Sequence, residues 1–453
     1  MISVSLALIL LGGMMRKGGL VAVVAILFAG QAMAYSFQTK GSLNVITANV
    51  AGLPEGLSSS HPSTNTAPLG KMLGAYDIVN VQEDFHYDST LAANMNLSFR
   101  TAFSGDAGFG DGMNTFSRFL LADTQRVKWN KSSGLISNGS DQLTPKGLSY
   151  VRVAVQEGIY VDVYNLHADA DTDAGSMAAR ADNLTQLAAY IKTNSAGNAV
   201  IVMGDTNARY TREGTVLTQQ LLTNAGLTDA WIKLIRSGSI PAQGGAALMD
   251  TSAGLTSASN EVVDKIFYRS SRAIQLTASN YKLESKFVDA SGNQLSDHYP
   301  LSLNISYALA SDVKFSGTAG GSGGTGFNDM ASVPENVAPK SVTLRGATRI
   351  DAVSLAYGNS VSTYHGGTGG TDSTLTLNSG EYLQSATLCT GVKTTLRIFY
   401  MRVTTNNGRN VSNGTATGTC QTMTAPSGWR IGGFFGRAGD GVDQVGVVFR
   451  PIE

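Results

Sequence analysis

Six short stretches place polar residues at the ends of apolar runs. Asn49 follows "VITA", and Glu83 closes "IVNVQ". Asn165 and His167 close "VDVYNLH", and Asp205 and Asn207 follow "VIVMG". Asp264 opens "DKIFYR", and Asp297 and His298 open "SDHYPLSLNIS". On an extended chain, residues two apart share a face at about 6.5 Å. Asn165 with His167, and Asp205 with Asn207, are therefore expected to point the same way. Glu and Asp offer hard oxygen ligands of the kind Mg(II) takes, and Asn both donates and accepts. Two histidines supply a base for water and an acid for a leaving oxygen, and a metal lowers the charge cost of a pentavalent transition state. Gathered in one cleft, this set could hydrolyse a phosphate ester. Singly, each residue has a commoner use. An Asp after a strand and a Gly usually caps a turn, and a strand-end Glu is usually solvated. Only five histidines occur, and two of them fall in these places.

Strands must deliver these groups to one edge. Residues 43–50, 77–83, 150–156, 159–167, 199–205 and 262–269 are rich in Val, Ile and Tyr, as strands are. Ser176–Ser195 spaces Leu184, Leu187, Ala188 and Ile191 as an amphipathic helix does. The mixture predicts an α/β domain. Trp129 and Trp231 read as packing residues. His61 falls in a polar loop expected at the surface, and His86 follows "VQEDF", near the cleft.

The chain has 453 residues, enough for two domains or more. Charged residues are 15% and glycines number 52, a profile of β-rich, loop-rich extracellular proteins. The formal net charge of zero divides unevenly. Residues 35–312 hold 20 basic against 25 acidic side chains, and residues 313–453 hold 11 against 8. Neither part has the positive field of a tight nucleic-acid binder. At the N-terminus, Arg16-Lys17, an apolar run and "AMA" (Ala32–Ala34) read as a secretory signal over 1–34, so the protein is expected to be secreted, with a membrane anchor as the alternative reading of the segment. Both cysteines, Cys389 and Cys420, lie in the last third, and in a secreted chain they are expected to pair.

In their order, the pieces "ANVAGL", "DIVNVQED", "YNLH", "GDTN", "VDKIF" and "SDHYPL" resemble the endonuclease/exonuclease/phosphatase superfamily. Its DNase-I-like fold also serves neutral sphingomyelinases and inositol polyphosphate phosphatases. The resemblance implies a four-layer α/β sandwich over 35–307, with "DGMNTFSR" (Asp111–Arg118) similar to a family strand beside the site. It also implies roles: Glu83 as main metal ligand with Asn49 beside it, His298 as the base, and Asp264 as its orienting carboxylate. Asp205 and Asn207 would hold the nucleophile and phosphoryl group, His167 would bind or protonate the phosphate with Asn165 nearby, and Asp297 would add a metal contact. The implied cofactor is Mg(II), with Mn(II) and Ca(II) as alternatives. Ala51 stands where some nuclease members carry an acidic residue, which makes a two-metal nuclease the weaker reading.

Past residue 308 the helical pattern stops and short β runs alternate with Gly-rich turns, which predicts an all-β second domain. Gly-rich pieces recur at 320–327, 365–372 and 436–446, as in a pseudo-repeated fold. "IGGFFGRAGDGVDQVGVVF" resembles the jacalin-like lectins, which implies a C-terminal β-prism over 317–453 after a linker at 308–316. Asp443 would accept from two sugar hydroxyls, with backbone groups of Gly439, Gly441 and Val442 and the Gly323-Gly324 pair completing the cradle. The expected whole is a phosphodiesterase held by its lectin domain on glycans near a membrane or cell wall. A phospholipid or sphingomyelin-type substrate is favoured. An extracellular nuclease, or a lectin with an inactive enzyme-like domain, is the alternative.

Overall fold

The computed structural model describes residues 39–452 apart from 106–109, 135–144, 157–158, 251, 253, 334–336 and 359. The expected leader at 1–34 lies outside the described residues. Strands of the first domain are β1 (Lys40–Asn49), β2 (Ile78–Gln82), β3 (Phe99–Arg100), β4 (Asn114–Ser117), β5 (Leu120–Lys128), β6 (Gly147–Gln156), β7 (Ile159–His167), β8 (Ala199–Asp205), β9 (Thr228–Asp229), β10 (Asp264–Arg269), β11 (Ile274–Leu283) and β12 (Leu301–Leu309). They form two six-stranded sheets, ordered β11-β12-β1-β2-β4-β3 and β5-β6-β7-β8-β10-β9. The sheets pack face to face, and helices complete the α/β sandwich: α1 (Pro62–Leu73), α2 (Asp88–Met95), α3 (Ala174–Asn194), α4 (Tyr210–Val216) and α5 (Ala230–Leu234).

Sequence pattern explains the central strands. All seven residues of β8 are buried, as a continuous apolar run in a two-sided environment must be. Helix α3 starts two residues before its expected start because Asp173 caps it, accepting from the amides of Gly175 and Ser176. Strands β1 and β2 are parallel, as are β7 and β8, so each pair ends on the same side. Their registers pair Asn49 with Gln82 and His167 with Asp205. Antiparallel β10 starts where β8 ends and pairs Asp264 with Asp205. Strand β12 begins with Leu301 opposite Thr47, so Asp297 and His298 precede it at the same edge. Between the sheets, amide side chains replace part of the apolar packing. Asn80 Nδ2 donates to the carbonyls of Tyr164 and Met203, and Gln82 Nε2 donates to Asn165 Oδ1 at 2.7 Å.

The second domain holds β13 (Lys314–Gly320), β14 (Thr325–Asn328), β15 (Pro339–Gly346), β16 (Ile350–Tyr357), β17 (Ser362–Gly366), β18 (Thr371–Thr376), β19 (Leu383–Val392), β20 (Leu396–Thr405), β21 (Asn410–Gly414), β22 (Thr419–Thr424), β23 (Trp429–Ala438) and β24 (Val442–Pro451). These make three four-stranded antiparallel sheets, β13-β24-β23-β14, β17-β16-β15-β18 and β21-β20-β19-β22. Cys389 and Cys420 face each other across β19 and β22 and form a disulfide.

Two expectations change. The linker is shorter than 308–316, because β12 runs to Leu309, β13 starts at Lys314, and Val313 is buried. The three Gly-rich pieces are not one repeated turn. Residues 320–324 and 366–370 join equivalent strand pairs, and their third counterpart is 414–418, whereas 439–441 joins the inner strands β23 and β24.

The two domains share hydrogen bonds and an aromatic contact, in part buried. Gln444 Nε2 donates to Asp123 Oδ1 at 3.1 Å, and Asn328 Nδ2 donates to Asn198 Oδ1 at 2.8 Å. The Tyr160 and Phe435 rings lie 5.9 Å apart. Among the described residues, no helix is long and apolar enough to cross a membrane.

Candidate active site

At the shared strand edge, Asp205 is the centre of a cluster of ionisable groups. Its register neighbours bring His167 from β7 and Asp264 from β10. His167 Nε2 lies 3.5 Å from Asp205 Oδ2 and 4.0 Å from Glu83 Oε1. His298 Nδ1 lies 2.7 Å from Asp264 Oδ2, and its Nε2 lies 3.8 Å from Asp205 Oδ2. An ionised carboxylate only accepts, so Nδ1 of His298 carries the shared proton and Nε2 faces Asp205. Asn49 bridges the two halves of the site. Its Nδ2 donates to Glu83 Oε1 at 3.0 Å and approaches Asp205 Oδ2 at 3.5 Å, while its Oδ1 accepts from the Ala51 amide.

The backbone is bent to present these groups. Ala51, Glu83 and Asn207 have φ of 46°, 55° and 47°, a left-handed region that non-glycine residues seldom occupy and that clusters at functional sites. Gly52 makes the turn at Glu83 possible. Its amide donates to the Glu83 carbonyl at 2.9 Å, and a Cβ there would lie 2.6 Å from the same oxygen.

Electrostatics follow from burial. Burial raises the Glu83 pKa, opposed by the Asn49 hydrogen bond and the Lys146 charge. Burial and the neighbouring Asp264 raise that of Asp205. His167 is 1% exposed, and burial, Lys146 and His298 together hold its pKa well below the ordinary histidine range. It is therefore neutral at pH 7. For His298 burial works downward, but the charges of Asp264 and Asp205 outweigh it and raise its pKa well above that range.

Several carboxylates thus stand close together with few cations, an arrangement that a divalent metal would relieve. Ligand atoms of Asp205, Asp264 and His298 all lie within 4.8 Å of one another. Asp264 Oδ1 is buried with no hydrogen-bond partner among the described residues. With Glu83 and Asn49 alongside, the donor set is rich in hard oxygen and fits a hard cation.

The expected site residues divide by position. Asn49, Glu83, His167, Asp205, Asp264 and His298 converge. Asn207 stands at the rim but not as expected, because the chain turns after Asp205 and the two side chains do not share an extended face. The Asn207 amide donates to Asp205 Oδ1 at 2.8 Å, and its Nδ2 donates to the Ala168 carbonyl at 3.0 Å. Asp297 is exposed, its Oδ2 accepting from Ser59 Oγ at 2.5 Å, though its charge reaches Glu83 and His298. Asn165, expected to bind phosphate, is fully buried, with its amide groups bonded inside the protein. It shares the inward face of β7 with His167, one layer deeper. Its Nδ2 donates to the carbonyls of Val81 and Asn114, and its Oδ1 accepts from Gln82.

Lys146 is a site residue that the sequence reading missed. It is buried, and its charge acts on Glu83, Asp205 and His167. A lone lysine ahead of a strand carries no signal of such a role. Of the remaining expectations, His61 and His86 are exposed, Trp129 and Trp231 are buried, and "DGMNTFSR" supplies β4, where Asn114 Nδ2 donates to Asp84 Oδ2 at 2.7 Å.

In the second domain, Asp443 meets the two glycine loops. A Cβ on Gly323 or Gly324 would lie 2.8 or 2.7 Å from its carboxylate, and one on Gly439 would lie 3.9 Å away. Gly441 and Val442 are buried beside it. Among the described residues, Asp443 Oδ1 has no hydrogen-bond partner, and Arg397 Nε lies 3.5 Å off. Burial raises the Asp443 pKa, against Arg397, Arg349 and Arg437.

Known proteins match each domain. Residues 65–304 match the Endonuclease/Exonuclease/phosphatase family 2, and residues 316–448 match the Jacalin-like lectin domain. A sphingomyelinase of Mycobacterium tuberculosis is 36% identical over 277 residues, 59% of this chain and 53% of the relative. The chain thus spans about half the length of the curated relatives it matches first. Horcolin of Hordeum vulgare is 29% identical over 136 residues, 28% of this chain and 93% of the lectin. Among solved structures, beta toxin from Staphylococcus aureus aligns at a TM-score of 0.42 and 18% identity, covering 58% of this chain and 99% of that one. The chain belongs to the endonuclease/exonuclease/phosphatase family, with a jacalin-like lectin domain following its α/β domain.

Proposed function

We propose that the protein is a secreted, Mg(II)-dependent phosphodiesterase of sphingomyelin-type lipids, held near its substrate by a glycan-binding lectin domain. The observation that carries the enzyme reading is the Asp264–His298 pair facing Asp205, with Glu83 and Asn49 across from it. Asp264 orients His298 and balances the charge it gains, and Nε2, once unprotonated, takes a proton from the attacking water. Asp205 offers that water a second acceptor. His167, buried and neutral, suits a hydrogen bond to the phosphoryl group better than proton donation. Lys146 adds positive charge beside the same position. Glu83, Asn49 and Asp205 are the residues that would hold Mg(II), which when bound supplies charge neutralisation at the phosphoryl oxygens.

The lipid preference rests on the sphingomyelinase relatives and on the acidic balance of residues 35–312, which disfavours a polyanion. Secretion rests on the signal-like pattern at 1–34. Sugar binding rests on the Asp443 carboxylate enclosed by glycines, whose Oδ1 accepts no hydrogen bond among the described residues and faces Arg397 at 3.5 Å. A lectin domain raises the local concentration of the enzyme at a glycosylated membrane or cell wall. Phosphocholine release from sphingomyelin vesicles, compared with nicking of plasmid DNA, tests the substrate. Faster release from vesicles is expected, and nicking without lipid cleavage would overturn the assignment. Recovery from culture medium of a chain starting at Tyr35 tests the leader.

A further inference from the structure

The lectin domain's first sheet meets the α/β domain at a bulge in β5. The pairing of β5 with β6 shifts register between Ala122 and Gln125, and Asp123 takes a φ of 51°. A bulge re-aims the side chains beside it. Here it places Gln125 Nε2 at 3.2 Å from the Ser322 carbonyl, donating to the loop that carries Gly323 and Gly324. Asp123 Oδ1 accepts from Gln444 Nε2 at 3.1 Å, and Gln444 is the residue after Asp443. Both sides of the Asp443 cradle are thus bonded to one short segment of the other domain.

That segment is well anchored. Asp123 Oδ2 lies 3.4 Å from Arg152, and Arg152 Nε donates to Asp162 at 2.9 Å, with all three side chains buried. Within the lectin domain, the Gly321 amide donates to the Asp443 carbonyl at 2.8 Å, which ties loop to strand. Arg437 holds the carbonyls of Gly323 and Gly324 from behind.

We infer that the carbohydrate site is composite: the β5 bulge of the α/β domain, through Gln125 and Asp123, positions the glycine loop and the strand that carry the sugar-binding groups. This rests on the sugar-binding reading of Asp443 given above. Gln125 and Asp123 are positioning residues. They act by holding the loop and strand in the binding geometry before the sugar arrives, which reduces the ordering that binding must otherwise supply.

The test uses the full chain, an array of mannose- and galactose-terminated oligosaccharides, and titration of the best binder. Wild type is expected to bind, and Asp443→Ala to lose binding. Gln125→Ala should weaken affinity about three- to tenfold, as loss of one hydrogen bond would, with the melting temperature unchanged. Gln125→Lys keeps a donor and should restore most of the affinity. Gln444→Leu, which removes the other link, should weaken binding by a similar factor. If Gln125→Ala and Gln444→Leu bind like wild type while Asp443→Ala does not, the composite site is overturned and the sugar reading stands. Equal loss in Gln125→Ala and Gln125→Lys would also overturn it, since the donor then does not matter. If wild type binds no glycan on the array, the sugar reading fails, and the inference with it.

Discussion

His298 and Asp264 lie 34 residues apart in the chain, and their side chains meet at 2.7 Å between Nδ1 and Oδ2. Asp264 opens a strand whose register with Asp205 is set by the sheet, and His298 precedes a strand of the other sheet. The pair therefore joins the two sheets at the edge where Glu83 and His167 also end. Because Asp264 holds Nδ1, Nε2 is left facing Asp205 at 3.8 Å.

Metal binding should depend on pH in a definite direction. Glu83 and Asp205 have pKa values raised in the metal-free fold, mainly by burial. A raised value means stability that is present below the unfolded pKa and lost as pH rises through the folded one. A cation binds only the charged carboxylates, so it restores what deprotonation removes. The increase in melting temperature on adding Mg(II) should therefore grow from pH 5 to pH 8. Below the raised carboxyl pKa values, apparent affinity should gain about tenfold per pH unit for each proton displaced. Glu83→Gln should flatten that dependence. An increment that is constant or larger at pH 5 would contradict this.

Asn165 should matter for folding rather than for chemistry. Asn165→Ala leaves the Val81 and Asn114 carbonyls and the Gln82 amide without their partner in a buried place. The expected loss is about 2–4 kcal/mol in chemical denaturation. The folded fraction should keep kcat on a soluble diester within about threefold. A large fall in kcat at unchanged stability would put Asn165 at the phosphate after all.

Gly52 controls Glu83 through its backbone. In Gly52→Ala the new Cβ would lie 2.6 Å from the Glu83 carbonyl, so residue 83, already at φ 55°, must move. A displacement of this kind should lower kcat/KM about 10- to 100-fold. The Mg(II) affinity should fall with it. Unchanged kinetics would show that the position of Glu83 is not critical.

Strands β7 and β8 were readable in the sequence to the residue, β8 because an unbroken apolar run ends in Gly204-Asp205, β7 because Val, Ile and Tyr dominate it despite Asp162. The order of Glu83, His167, Asp205, Asp264 and His298 was readable for the same reason: each stands where a run begins or ends. Depth was not readable. A period of two puts Asn165 and His167 on one face, but nothing local says that the opposite sheet supplies Gln82 and the Val81 carbonyl to consume Asn165. The turn at Asn207 and the approach of Lys146 are equally tertiary. The glycines of the second domain misled in a different way, since Gly-rich composition marks turns without saying which strands they join. The bulge at Asp123 that meets Gln444 left no trace in composition or period.

The central claim is that His298, held by Asp264, activates water for phosphodiester hydrolysis. Initial rates on bis-p-nitrophenyl phosphate in Mg(II), for wild type and His298→Ala, test it most directly. The account predicts a loss of about 10²- to 10⁴-fold in the variant. Equal turnover by the two proteins would contradict it.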